Sequence, residues 1–289
     1  MSLTEQKHRV GVSELKTSSL FFWLALCLST ANAEVTSMWL LDAEVATVYE
    51  DNVSQSRFGR DHQEDFSIRP FISAGRHFQL SNTLGFFTTA QIERAEFFDF
   101  HRLNHTTFSG NLLLKKKFGI GLTAPWLGFF ASGGREDFRE DARDAFFTQA
   151  GIKAGKRFGN RINLTGGYTY DFTRADDNAV FDTEGQTISL SSEFSLRPSL
   201  IASLGYQLRP GEIVTHASGL NGAGIILDTF DQRMRAFNVG VKAHIIRAGL
   251  SWGLAERTSL NFVYEYLVAE RFNFEYEIKT YELSLNFSF

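Results

Sequence analysis

The segment Tyr281-Glu-Leu-Ser-Leu-Asn-Phe-Ser-Phe289 alternates without a break. Tyr281, Leu283, Leu285, Phe287 and Phe289 fall on one face of an extended strand, and Glu282, Ser284, Asn286 and Ser288 on the other. At a sheet edge in water such a strand invites aggregation, because an apolar face and a row of unpaired backbone groups are both presented to neighbouring chains. In lipid the same strand has to be paired along both edges, since no water is there to satisfy its N–H and C=O groups. The expected solution is a closed barrel in which this strand meets the first one.

The rest of the chain repeats the pattern. It contains 29 Phe and 24 Gly but only 4 Pro, with a mean hydropathy of −0.15. That is too polar for a bundle of membrane helices, and it suits strands whose faces alternate between lipid and a watery lumen. Twelve such segments are predicted near 39–51, 65–77, 83–96, 105–118, 125–137, 145–158, 161–174, 185–197, 199–213, 233–254, 258–270 and 278–289. The seventh is the clearest, with Ile162, Leu164, Tyr168, Tyr170 and Phe172 opposed to Asn163, Thr165, Thr169 and Asp171. Short turns follow the even strands and longer loops the odd ones, so both ends of the barrel domain are expected on the same side. Aromatic residues cluster near the two ends of the strands: Trp39, Phe118, Trp126, Phe158, Trp252 and Phe289 at one, and Phe66, Phe98, Phe146 and Tyr206 among others at the second. Two belts of this kind mark the interfaces of a membrane barrel. The tenth segment is overlong, and the parity of Phe237, Val239 and Val241 conflicts with that of Leu250 and Trp252. The conflict predicts either a bulge near His244–Arg247 or an extra hairpin that would raise the count to fourteen strands.

The alternation running to a terminal Phe resembles the C-terminal signature of bacterial outer-membrane β-barrel proteins, by which barrel-assembly machinery recognises its clients. The resemblance implies an all-β, up-and-down antiparallel transmembrane barrel of about 12 strands in the outer membrane, with Tyr281, Leu283, Leu285, Phe287 and Phe289 as the assembly signal. At the other end, the apolar run Leu20–Leu28 lies between Lys16 and Ala31-Asn32-Ala33, the order of a secretory signal peptide. Cleavage after Ala33 is expected, leaving 34–289 as a single barrel domain. Glu5 and Glu14 precede the run where positive charge is usual, which suggests a translation start near residue 15. The lone Cys27 lies within the run, so a processed chain would lack thiols.

Function is sought in the lumen, the loops and the lipid-facing wall. The alternation turns Asp42, Glu44, Arg69, Glu93, Lys115, Lys117, Lys153, Asp171, Glu193, Arg209, Glu265 and Glu282 inward as the expected pore lining. Acids gather on the first and last two strands, and lysines on the fourth and sixth. Charge segregated in this way suits a narrow channel for small polar solutes. If the same charges pair across a tight bore, the chain is instead a structural or surface-export accessory barrel with a closed lumen. The chain resembles saccharide-uptake channels of twelve strands in length and layout, although those line their pores with more arginine. The element Tyr49-Glu-Asp-Asn-Val53 resembles one found at this position in barrel families linked to exopolysaccharide export, and Asp51 and Asn52 also suit a strand-ending turn.

An enzyme at the rim is the third reading. His216-Ala-Ser218 faintly resembles the His-x-Ser element of lipid A deacylases, in which the histidine acts as base for the serine. The acid-rich runs 135–144 and 176–184 could gather oxygen ligands for Ca²⁺ or are simply solvated. No cofactor, metal site or catalytic set is assigned. The expected partners are outer-membrane lipid and lipopolysaccharide, the assembly machinery, and a small polar solute. With 29 basic against 33 acidic residues and no basic stripe, nucleic acid is not among them.

Overall fold

The computed structural model describes residues 36–219, 226–227, 230, 234–271 and 274–289. The predicted signal peptide, its cleavage site and the alternative start lie outside the described residues. The strands are β1 (Thr36–Glu50), β2 (Asp65–Ser81), β3 (Leu84–Phe97), β4 (His105–Lys117), β5 (Trp126–Phe138), β6 (Ala145–Phe158), β7 (Ile162–Ala175), β8 (Thr183–Arg197), β9 (Leu200–Ser218), β10 (Ile226–Leu227), β11 (Met234–Ala255), β12 (Thr258–Arg271) and β13 (Phe274–Ser288).

Each strand pairs antiparallel with its chain neighbours. Two further pairings close the ring: β1 with β13, where Val45 faces Leu285, and β9 with β11. The result is a closed antiparallel barrel of twelve strands, with the two-residue β10 outside the ring as a rider on Arg235 and Ala236 of β11. Closure removes every sheet edge from the barrel wall. The alternative of fourteen ring strands does not occur among the described residues. No helix among the described residues is long and apolar enough to cross a membrane.

The predicted bulge near His244–Arg247 is corrected by the register. β11 pairs with β9 unbroken from Met234↔Ser218 to Trp252↔Leu200, and its one irregularity against β12 lies between Gly253 and Ala255. The parity conflict has another cause. Phe237, Val239 and Val241 face inward, opposite in sense to the exposed Ile246, Leu250 and Trp252. There Val239, Val241 and Ala243 pack with Ala269 of β12 and with Tyr276 and Ile278 of β13, and Ile213 and Phe237 flank the cluster. One side of the lumen is therefore apolar toward the loop end, a break in the polar-inside rule that burial makes favourable.

The loop end is built on a repeated device. Short 3₁₀ turns at His101–Leu103, Asp141–Arg143 and Ala179–Phe181 each precede a strand. The residue after each turn folds its side chain back onto a backbone N–H of the preceding strand's end: Asn104 accepts from Phe97 at 2.8 Å, Asp144 from Phe138 at 2.7 Å and Asp182 from Ala175 at 2.8 Å. Adjacent loops are then tied in a staircase by Arg139 N–H to Asn104 O and Asp176 N–H to Asp144 O. The buried Asp65 starts the staircase by accepting from the N–H groups of Asp99 and Phe100. Three turns closed alike give a rigid rim.

Candidate functional site: the lumen and its covered end

Outward positions carry the exposed aliphatic and aromatic side chains, among them Ile72, Phe108, Phe129, Ile152, Ile188, Leu204 and Leu283. Counting from these in steps of two places all twelve predicted lining residues on the inner wall. The structure does not gather them into one cluster. Arg209 reaches over Gly185 of the intervening β8 to Asp171, 2.7 Å away. A Cβ on Gly185 would lie 2.5 Å from the guanidinium, so glycine is what permits this bridge. Glu193 accepts from Asn163 at 3.1 Å and Asp42 from Ser288 at 2.7 Å. Arg69 donates to Ser67 at 3.1 Å. Ring closure brings Asp42, Glu44, Glu282 and Glu265 onto the neighbouring strands β1, β13 and β12. The lysines stand on β4 and β6, and none of the three forms an ion pair among the described residues.

Several inward groups escaped the sequence analysis, Arg247 and Trp126 among them. Arg247, which sat within the expected bulge, pairs with Glu265 directly across from it on β12 and so neutralises part of the acidic wall. Trp126, expected in an outward aromatic belt, points inward. Its indole lies against Gly155, where an added Cβ would come within 2.7 Å, and the Lys115 ammonium sits 4.2 Å from its ring centre. The other belt residues at that end, Trp39, Phe118, Phe158, Trp252 and Phe289, are exposed on the outer surface. The pairing of Trp126 with Gly155 and with Lys117 was the available signal, since a cross-strand partner shares its face.

At the loop end the lumen is covered. β8 last pairs with β9 at Gly185↔Gly211, and β11 first pairs with β12 at Lys242↔Glu270, so the β9–β11 hairpin stands above its neighbours. Both of its faces are buried, with Thr215 at 1% and Ala217 at 2% exposure on one, and His216 at 3% and Ala236 at 0% on the other. The connection between β1 and β2 folds against it. Asn52 is fully buried and donates to Glu277 O of β13 at 3.1 Å and to Ser56 O at 3.0 Å, while its own oxygen accepts from Ser56 N–H. Thr215 Oγ1 donates to Gln55 O at 2.6 Å. Ser218 places its N–H and its hydroxyl on the two carboxylate oxygens of buried Asp61, at 3.0 and 2.7 Å. Val53 and Gln55 share a cavity of about 360 Å³ with inward Glu136 and Arg209, so this connection lies over the bore. Asp51 also accepts from Lys279 N–H of β13 at 2.7 Å, a bond across strands where a local turn was expected.

These contacts define what His216 does. Its Nε2 lies 2.9 Å from Arg143 Nη2 and its Nδ1 2.6 Å from Ser54 O. A guanidinium can only donate, so Nε2 accepts and the Nδ1 proton goes to the carbonyl. Ser218 gives its proton to Asp61. The His-x-Ser pair thus fastens a loop, and its geometry is not that of a base beside a nucleophile. The acid-rich runs are engaged similarly. Arg135 bonds Asp137, sits 2.9 Å from Asp176 and 3.5 Å from Asp144, and spreads over the ring of Phe146. No acid or histidine cluster suited to a metal occurs among the described residues.

No family model matches the sequence, and no curated protein matches it significantly. Solved structures do match in shape. The crystal structure of an outer-membrane channel from Pseudomonas putida F1 aligns with a TM-score of 0.61 at 10% identity, over 86% of this chain and 95% of that one. The NanC porin aligns with a TM-score of 0.49 at 9% identity, over 85% and 98%. The translocator domain of the autotransporter NalP from Neisseria meningitidis gives 0.44 at 11% identity, over 94% of each. At such identities what is shared is the architecture, and the chain has a closed, antiparallel, twelve-stranded barrel fold like that of the Pseudomonas putida outer-membrane channel.

Proposed function

We propose that this protein is a narrow, non-enzymatic channel of the bacterial outer membrane for small polar solutes, entered from the loop end past a cover formed by residues 51–64. The observation that carries the reading is the division of charge on the inner wall. Among the described residues Lys115, Lys117 and Lys153 stand without ion-pair partners on β4 and β6, facing a wall whose acids lie on β1, β12 and β13. A lumen that existed only to be filled would pair such charges, because an isolated buried charge is costly. A water-filled lumen solvates them and sets a field across the path of the solute. Placement in the outer membrane is supported by the terminal strand and by the fold. Export with cleavage after Ala33, insertion through Tyr281–Phe289 and contact with lipopolysaccharide belong to the same proposal.

The test is single-channel conductance of the refolded protein in a planar bilayer, beside a Lys115→Glu/Lys117→Glu variant. Discrete steps are expected, with ion selectivity moving toward cations in the variant. Silence from folded protein would overturn the channel. It would favour the accessory barrel with a closed lumen, a reading to which the buried loop and the apolar cluster of β11–β13 lend support.

A further inference from the structure

Deepening the channel reading, on which it rests, we propose that the turn end of the lumen holds a binding site for a small organic anion with a ring-shaped apolar body, such as an aromatic carboxylate. A cavity of about 360 Å³ there is lined by Lys115, Lys117, Arg157 and Arg161, brought together from β4, the end of β6 and the β6–β7 turn. Among the described residues these four cations form no ion pair. The one carboxylate of the lining, Glu193, is engaged by Asn163 at 3.1 Å, and Arg157 donates to Asn160 O at 3.1 Å. Four cations against the single carboxylate of Glu193 leave the hollow net positive, and an anion placed among them relieves the repulsion that remains.

Beside the polar Asn163 and Ser195, the lining carries an apolar part that supplies the second half of the specificity. The Trp126 indole, seated against Gly155, and the Ile201 side chain border the cations. Lys115 lies 4.2 Å from the Trp126 ring centre, so a carboxylate drawn to Lys115 and Lys117 leaves its ring beside the indole. The same two lysines also border a second cavity of about 490 Å³ floored by His77 and Phe87, whose rings stack at 4.2 Å. An aromatic surface thus lies on either side of the lysine pair. A ligand that is only a charge gains nothing from the aromatic surfaces, and a neutral ring gains from the cations only a cation–π contact, weaker than the charge-assisted bonds a carboxylate makes.

The experiment is isothermal titration of the full, refolded barrel in detergent with benzoate, benzyl alcohol and inorganic phosphate, repeated on Lys115→Gln/Lys117→Gln and on Trp126→Leu. Saturable benzoate binding is expected, weakened about ten-fold or more by the lysine pair substitution and for benzyl alcohol. A smaller loss is expected for Trp126→Leu. Arg161→Gln in the turn replaces the lysine variant should that one not refold. Benzyl alcohol binding as tightly as benzoate, or benzoate insensitive to the cations, overturns the site. Phosphate binding as tightly as benzoate overturns the ring-bearing class of ligand. Conductance separates the two readings: a conducting barrel blind to benzoate overturns this site and leaves the channel, whereas benzoate binding to a silent barrel upholds the site and overturns the channel.

Discussion

Asn52 is the side chain on which the covered end turns. It is fully buried, and its amide spans the β1–β2 connection and the backbone of β13. Asn52→Ala leaves Glu277 O and Ser56 O without their donor, at a cost of about 1–3 kcal/mol for such unsatisfied groups. The expected outcome is a barrel that still folds, judged by its heat-sensitive gel mobility, but is cut within 53–64 by a protease that spares the wild type. A barrel equally resistant would mean that the other contacts of this connection suffice. His216→Ala is expected to have a similar, milder effect, with no loss of any lipid-processing activity, because both ring nitrogens are spent on Ser54 and Arg143. Gly155→Val offers a spectroscopic check on the inward tryptophan. A β-carbon within 2.7 Å of the indole must push Trp126 aside, and its fluorescence maximum should move.

At the scale of elements, β13 and the β1–β2 connection have separable roles. β13 closes the ring against β1 and keeps Leu283 and Leu285 on the outer face opposite Thr47 and Val45. Leu283→Arg puts a cation on that face, at a cost of about 2–4 kcal/mol if the position is near the bilayer midplane. Urea titration of vesicle-inserted protein should show that loss, and outer-membrane levels in cells should fall. Unchanged stability would place Leu283 away from lipid. The β1–β2 connection is not part of the ring, so replacing 53–60 by a Gly–Ser linker should leave the barrel folded and raise its conductance. A lower conductance would show that the segment shapes the path and does not cover it.

On the scale of the whole molecule, two ends with different chemistry share one bore. The loop end is tied down by the staircase of Asn104, Asp144 and Asp182 and filled on one side by the β11–β13 apolar cluster. The turn end carries Lys115, Lys117, Arg157 and Arg161, which form no ion pair among the described residues. Under the proposed channel reading, a solute entering from the loop end would meet the hydrogen-bonded cover first and the cation cluster second. The order of those two barriers predicts that loosening the cover raises conductance without changing ion selectivity, while charge reversal at Lys115 and Lys117 changes selectivity.

Strand positions were legible from the sequence because the lipid solvent imposes one rule on every outward side chain, and a period of two is then visible in residues such as Ile162 through Phe172. All twelve ring strands fall within a few residues of their predicted places, apart from the far ends of β2 and β9 and the start of β13, which run longer. The inward parity of the charged side chains followed from the same rule. The rule failed where water and lipid are both absent. Val239 and Val241 are apolar yet inward, because they pack on Tyr276 and Ile278 from strands that become neighbours through the β11–β12–β13 register. Trp126 is aromatic yet inward, because Gly155 on the next strand makes room for it. The spacing of Asn104, Asp144 and Asp182 was present in the sequence as a repeat, but only the folded loops show that each closes onto its own preceding strand. The sequence by itself determined where the strands lie and the parity of the charged residues it singled out, since local alternation suffices for these, while the choice of twelve strands over fourteen waited for the unbroken pairing of β9 with β11. Only the tertiary structure decided that His216 and Ser218 hold a loop, that Arg247 answers Glu265, and that one end of the bore is covered, because each depends on residues brought together by closure of the ring.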